Sequence, residues 1–190
     1  MKVVYYTNKD ISDWDIIPAI IRETGDGVIT KTDRVTLDFV KEHDIEFIVS
    51  DRSRFLIRKD LIDFFDKKIV NLHPSYLPWN RGYHPNYWSI KENTPFGVTL
   101  HFIDEEIDTG PILAQTKTFY SMNDTLRSTY IRLRMLMIKL FEACWPDVRV
   151  SAIPGEMQDR TSGSVHYKSD FDGIYENLTQ GWDTKINDVT

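Results

Sequence analysis

The stretch "IEFIVSDRSRFLIRKDLIDFFDKKIVNLHPS", residues 45–75, decides the fold. Its opening "IEFIVSD" (45–51) and its close "KIVNLHPS" (68–75) are short apolar runs that read as buried strands. Between them "RKDLIDFFD" (58–66) reads as a helix. A strand, a helix and a second strand in that order make a right-handed crossover between parallel neighbours. The same alternation extends to the N-terminus. "KVVYYT" (2–7) and "GVITKT" (27–32) read as strands, and "VTLDFVKEHD" (35–44) as a helix. "ISDWDIIPAIIRETG" (11–25) also reads as a helix, closed by Gly25, with Pro18 an awkward interior residue. The expected fold is therefore α/β, a Rossmann-like, mostly parallel sheet flanked by helices.

Downstream the pattern changes. "HPNYWSIKEN" (84–93) reads as a helix with Pro85 in its first turn. "FGVTLHFI" (96–103) and "PILAQTKTFY" (111–120) read as strands joined only by "DEEIDTG" (104–110), too short a link for another crossover, so an antiparallel pair is expected. The longest helix is expected over 125–145, with Leu126, Tyr130, Leu133, Met137, Leu140 and Cys144 on its apolar face and Met135, Leu136, Ile138 and Phe141 widening it. Such a wide stripe is usually core, with a homodimer interface the second reading. Residues 146–190 are polar and loop-rich, and the final "WDTKINDVT" reads as mobile.

Composition narrows the function classes. The chain has 190 residues, 41% of them hydrophobic, and a formal net charge of -6 with no block of Lys and Arg. That argues against nucleic acid as a partner and against a basic membrane patch. No apolar run reaches membrane-spanning length, and "MKVVYYTNKD" is too short a run for a signal peptide. The single cysteine, Cys144, has no internal partner, so a reducing, cytoplasmic setting is expected. His73, His84, His101 and Asp104 lack the usual ligand intervals, so no metal is expected.

Chemistry concentrates in two loops. In an open parallel sheet, ligands gather outside the carboxyl ends of the strands. Asn71 and His73 alternate onto one face there, and Asp108 follows another apolar strand, with Gly110 permitting a tight turn. An amide, an imidazole and a carboxylate brought together suit acyl transfer to an amine. Asn71 and an imidazolium of His73 would donate to the oxyanion, and the carboxylate would assist proton removal. Asp108 would keep the imidazole charged or oriented, raising its pKa. By spacing alone, however, Asn71-x-His73 is more often a capped strand end, and Asp104, Glu105, Glu106 and Asp108 a solvated turn. Arg81–Gly82 reads equally as an anion holder or as structure.

The segments "NLHPSYLPWNRG" and "GVTLHFIDEEIDTGPILAQ" resemble the signature of the folate-dependent formyltransferases, over roughly residues 45 to 120. The resemblance implies 10-formyltetrahydrofolate as donor and places the catalytic roles on Asn71, His73 and Asp108. It implies a folate slot walled by Phe55, Leu56 and Ile57 and by Asp104, Glu105, Glu106 and Ile107. The amine acceptor would meet Pro74, Ser75, Tyr76, Trp79, Arg81, Gly82 and Tyr83. Residues 1–145 would be the formyltransferase catalytic domain, and 146–190 a C-terminal extension packed on it.

The acceptor is read from departures. Glycinamide ribonucleotide transformylase has a glycine-rich phosphate loop where this chain has "TNKDISDWD", and methionyl-tRNA formyltransferase has a basic surface. About one strand–helix unit is missing or shrunken before Asn71. Sugar N-formyltransferases are the nearest pattern, and "GSVHYKSDFD" (163–172) resembles a Gly-x-x-His-x-x-x-Asp segment found there. With Tyr76, Trp79, Tyr83, Tyr87 and Trp88 near the loop as flat platforms, a nucleotide-linked amino-deoxy sugar is expected. The alternatives are a hydrolase of the same donor, in which water replaces the amine, and a folate-binding module without turnover.

Overall fold

The computed structural model describes residues 1–8 and 16–189. In chain order its elements are β1 (Lys2–Tyr6), α1 (Ile16–Glu23), β2 (Gly27–Lys31), α2 (Leu37–Glu42), β3 (Phe47–Asp51), α3 (Lys59–Phe65), β4 (Ile69–His73), β5 (Arg81–Gly82), α4 (Pro85–Lys91), β6 (Gly97–Phe102), β7 (Ile112–Lys117), α5 (Leu126–Val148), β8 (Val165–His166), α6 (Lys168–Phe171) and α7 (Ile174–Asn177). Six strands form one sheet in the order β2-β1-β3-β4-β6-β7. The first four are parallel, and β6 and β7 run antiparallel, as the crossover lengths and the short 104–110 link require. The expected α/β fold with a terminal antiparallel pair and a long helix is the one observed.

Alternation along the strands splits the core in two. Val3, Tyr5, Phe47, Val49, Val70 and Leu72 face α1 and α5, while Val4, Tyr6, Ile48 and Ile69 face α2 and α3. Every residue of β3 is buried, as a strand covered on both faces must be.

Several expectations are corrected. Of the helix expected over 11–25, Ile16–Glu23 is observed as α1, with Pro18 buried in it. The part of that expected helix at 11–15 lies outside the described residues, as does most of "TNKDISDWD". The 35–44 helix begins later, because Thr36 caps it, accepting from the Phe39 N–H. Helix α5 runs on through Pro146 to Val148, and its buried line is Leu126, Thr129, Leu133, Met137, Phe141, Trp145 and Val148. That line is rotated from the expected face. Tyr130, Leu140 and Cys144 are only half-buried, and Met135 is exposed.

The tail expected to be mobile is docked. Ile186 and Val189 are buried in the main core, joined there by Phe171. The backbone of β8 pairs in parallel with β5, through the Arg81 N–H to Ser164 O at 3.0 Å and the Tyr83 N–H to His166 O at 2.8 Å. The Gly163, His166 and Asp170 pattern serves this docking. Gly163 has φ +89, and a Cβ there would lie 2.0 Å from Pro78 O. His166 stacks on Trp88 at 4.0 Å, and Asp170 accepts the Tyr167 N–H at 2.7 Å.

The far end of α5 is fixed by Asp26, just before β2. Its carboxylate accepts both Arg149 Nε and Nη2 at 2.7 Å and the Thr24 hydroxyl at 2.9 Å. The Arg149 hydrogen bonds hold the Asp26 carboxyl well below the ordinary carboxylate range, against the opposing effect of burial. A depressed carboxyl pKa stabilises the fold above its unfolded value, and that stability is lost as pH falls through the folded one. Asp26→Asn is therefore expected to cost about 1.5–3 kcal/mol near neutrality. It should also flatten the loss of stability below about pH 4, measured by thermal melts across pH.

Candidate active site

The site grows from a cross-strand register. β4 and β6 pair with Asn71 opposite His101 and His73 opposite Thr99, so four polar side chains share one face. Asn71 Nδ2 consequently lies 3.2 Å from His101 Nε2 and 3.2 Å from Asp108 Oδ1. A carboxylate only accepts, so the amide turns its NH2 group inward and leaves its carbonyl oxygen outward. His101 Nδ1 sits 2.7 Å from the Phe102 carbonyl and donates to it, which frees Nε2 to accept from Asn71.

Thr99 organises the loop beyond His73. Its hydroxyl donates to Ser75 O at 2.8 Å and accepts from the Leu77 N–H at 3.1 Å and Gln115 Nε2 at 2.9 Å. The loop then presents the Asn80 carbonyl to His73 Nε2 at 3.0 Å. Asn80 is itself fully buried, donating to Ser89 Oγ at 2.9 Å and Thr94 Oγ1 at 2.6 Å. The imidazole is therefore oriented by a backbone carbonyl whose own residue cannot move.

Asp108 returns to this face on the turn after β6, at φ 53. The Gly82 N–H donates to its Oδ2 at 2.9 Å, His73 Nδ1 lies 3.4 Å from the same oxygen, and His101 Nε2 lies 3.5 Å from Oδ1. Gly82 must be glycine: it has φ +88, and a Cβ would stand 2.3 Å from His166 O. Gly110 matters for a different reason from the one expected. The left-handed residue of the turn is Asp108, whereas a Cβ on Gly110 would lie 1.9 Å from Phe102 O. Gln158 clasps the turn from the C-terminal segment, donating to Asp108 O at 2.9 Å and Gly110 O at 2.8 Å.

Electrostatics separate the two titrating groups. Burial pushes the Asp108 carboxyl up, but the adjacent His73 imidazole and the Gly82 N–H outweigh it, so Asp108 stays ionised. For His73, burial pulls the pKa down by more than Asp108 pulls it up. The expected rise is thus overturned, and the resting imidazole is neutral near pH 7.

Asn71, His73 and Asp108 line a cleft of about 1140 Å³. One wall joins Phe55, Leu56 and Ile57 to Asp104, Glu105, Glu106 and Ile107, tied together by Lys59 and Glu105. The other carries Tyr83, His84 and Tyr87, with Arg127 and Tyr130 of α5 and with Tyr167, Lys168 and Trp182 of the tail. Pro74 and Gly82 also line it. Ser75, Tyr76, Trp79 and Arg81 do not. Ser75 donates to Trp79 O at 2.7 Å, Tyr76 lies beneath Lys117, and Arg81 points to Ser164 O. Those residues brace the loop from behind. Trp88 likewise stacks on His166 instead of offering a platform.

Sequence reasoning missed His101, Gln158 and Tyr130. His101 was within reach, since alternation in "GVTLHFI" puts it on the face of Thr99. Gln158 left no local signal. Among the described residues no group of three or more His, Cys, Asp or Glu side chains is arranged to hold a metal ion, and no helix is long and apolar enough to cross a membrane.

Residues 27–143 match the formyl transferase family model, and the chain belongs to that family. It is 34% identical over 111 residues to the dTDP-4-amino-4,6-dideoxyglucose formyltransferase of Mycobacterium tuberculosis, covering 56% of this chain and 45% of that protein. With the phosphoribosylglycinamide formyltransferase of Bacillus subtilis it shares 30% identity over 110 residues, 57% of this chain and 56% of the other. The chain thus spans about half the length of the curated relatives it matches. Among solved structures, the formyltransferase PseJ from Anoxybacillus kamchatkensis, in complex with UDP-4,6-dideoxy-4-formamido-L-AltNAc and tetrahydrofolate, superposes with a TM-score of 0.91. It is 35% identical, with 100% of this chain and 97% of that one covered. A sugar N-formyltransferase from Shewanella shares the fold at a TM-score of 0.78 and 19% identity.

The balance at His73 is measurable. Its pKa, followed by NMR of the ring Cε1–H, is expected below the ordinary 6.5. It should drop further in Asp108→Asn, which removes the charge that opposes burial. A value above 6.5 in the unsubstituted protein would contradict this balance.

Proposed function

We propose that the protein is a cytoplasmic enzyme of one-carbon metabolism. It transfers the formyl group of 10-formyltetrahydrofolate to the amine of a nucleotide-linked amino-deoxy sugar. The observation that carries this reading is an ionised carboxylate in contact with an amide and an imidazole, lining a cleft larger than one ligand needs. A pocket for a single drug-sized molecule takes about 300–1,000 Å³, and this one has about 1140 Å³. A hydrolase would need room only for folate and water. The PseJ complex, holding a formamido sugar nucleotide and tetrahydrofolate together, supports the same reading.

The folate fits the wall built from 55–57 and 104–107. Phe55, Ile57, Ile103 and Ile107 are apolar there, and Leu56 stands 74% exposed, a surface suited to a flat heteroaromatic ring. When bound, the folate supplies the formyl carbon and leaves through its amine nitrogen. At rest both Asn71 N–H groups face acceptors, and the neutral His73 ring donates from Nε2 to the Asn80 carbonyl, so its Nδ1 becomes a donor only on protonation. The contacts of Asp108 with Asn71 and His73 are the long ones, at 3.2 and 3.4 Å, whereas its bond from Gly82 is 2.9 Å. A formyl oxygen can therefore take over donors from Asp108 while Gly82 keeps the carboxylate in place. As the amine nitrogen bonds to the formyl carbon, Asn71 stabilises the developing oxyanion, joined by His73 when its Nδ1 takes up a proton. Asp108, directly or through water, receives the amine proton, and a proton passes to the folate nitrogen as its bond to the formyl carbon breaks.

Assays with 10-formyltetrahydrofolate and a panel of amino-sugar nucleotides should give N-formyl products by mass spectrometry, with glycinamide ribonucleotide and methionyl-tRNA inert. Asn71→Ala should lower turnover about 10²- to 10³-fold and Asp108→Asn about 10²- to 10⁴-fold, both still binding 5-formyltetrahydrofolate. Formate release without any amine, at the rate seen with one, would establish the hydrolase instead.

A further inference from the structure

The chain has five histidines, and four of them have a polar partner close at hand. His43 Nδ1 lies 3.1 Å from Phe39 O, His73 Nε2 3.0 Å from Asn80 O, His101 Nδ1 2.7 Å from Phe102 O and His166 Nε2 3.1 Å from Glu92 Oε1. His84 differs. It lines the cleft, yet among the described residues its ring has neither a hydrogen-bond partner nor a charged neighbour. Burial alone acts on it, and pushes its pKa down to about 4. Among the same residues neither ring nitrogen is sealed from solvent.

Three aromatic rings hold the imidazole, with centroids 4.1 Å away for Tyr83, 4.2 Å for Phe171 and 5.0 Å for Trp182. Its backbone is fixed as well. The Tyr83 N–H donates to His166 O at 2.8 Å, and the His84 carbonyl accepts the Tyr87 and Trp88 N–H groups at 3.0 and 3.3 Å. Two residues upstream, the Gly82 N–H donates to Asp108 Oδ2 at 2.9 Å, so the His84 Cα lies within about 7 Å of the Gly82 Cα. Packing against three rings would be served by phenylalanine. An imidazole adds one N–H donor and one acceptor, and in a half-enclosed site these are unfavourable until something binds them. Being uncharged, the ring does not repel a protonated amine, and it suits a hydroxyl or an amide, each of which both donates and accepts.

We propose that His84 binds the sugar ring of the acceptor, hydrogen-bonding a hydroxyl or amide substituent near the reacting amine, while Tyr83 and Trp182 pack against the ring. The proposal rests on the nucleotide-sugar reading above. It makes His84 a specificity-determining residue, because a site built to bond a hydroxyl or N–H discriminates against the analogue that lacks it. The role lies in selecting and placing the acceptor. So weakly basic a ring is a poor recipient for the amine proton.

Formyl-transfer kinetics on a panel of UDP-linked amino-deoxy sugars, with His84→Phe and His84→Asn, tests it. Phenylalanine keeps the aromatic packing and removes both nitrogens. Asparagine tolerates the left-handed backbone of this position, at φ 50, and restores a donor and an acceptor. His84→Phe is expected to raise the acceptor KM about 10- to 100-fold, with a smaller change in kcat and with 5-formyltetrahydrofolate affinity unchanged. His84→Asn should recover much of the loss. An unchanged acceptor KM in His84→Phe overturns the proposal, as does a loss in His84→Asn equal to that in His84→Phe. The His84 ring Cε1–H resonance of the unsubstituted protein gives a readout that needs neither variant to fold nor any turnover. It should shift with a UDP-linked amino sugar, and not with uridine diphosphate or 5-formyltetrahydrofolate alone. No shift with any sugar nucleotide overturns the proposal, as does an equal shift with uridine diphosphate alone. A shift specific to a sugar nucleotide, in a protein that formylates none of the panel, would leave this site standing and remove the catalytic reading.

Discussion

Everything around the cleft is arranged to keep one buried carboxylate charged and in place. Asp108 receives a backbone N–H from β5, an amide from β4 and the proximity of an imidazole from each of β4 and β6. Leaving a carboxylate ionised away from water is unfavourable unless such donors surround it. The two N–H donors, Gly82 and Asn71, precede Asp108 by 26 and 37 residues in sequence. The folded arrangement of β4, β5, β6 and the 104–110 turn is thus a condition for the charge, and the charge in turn favours that arrangement.

The C-terminal segment supplies much of the scaffolding. Gln158 holds the carbonyls on either side of Thr109, Arg160 holds Asp104, and Ser164 contacts Asn80, the residue whose carbonyl orients His73. Two loops that bear the proposed site are fastened by a third stretch of chain contributing little regular structure of its own. Its apolar anchors, Phe171, Ile186 and Val189, are few but deeply placed.

What was legible in the sequence follows from the range of the forces involved. Strands β1, β3 and β4 are apolar runs covered on both faces, so their composition announces them, and the short link after β6 left only an antiparallel return. Asn71, His73 and Asp108 were visible through motif resemblance. Their partners were not. His101 joins them by register, and Gln158 by reaching across 48 and 50 residues to two carbonyls. The tail read as mobile because polar composition hides docking made through main-chain pairing. The direction of the His73 shift also depended on depth of burial, which spacing does not report.

The β5–β8 ribbon is joined by main-chain hydrogen bonds, and Gly82 and Gly163 let the strands and loops approach closely. Its side chains are therefore not what secures the carboxylate anchor. Tyr167 and Lys168, next along the chain, face the cleft while the ribbon behind them needs only its backbone. On the proposed reading, drift at these positions can reshape which acceptors are admitted without loosening the Gly82 to Asp108 bond. The architecture thereby uncouples substrate range from chemistry, a property that lets one scaffold diversify by small steps in a short peripheral segment.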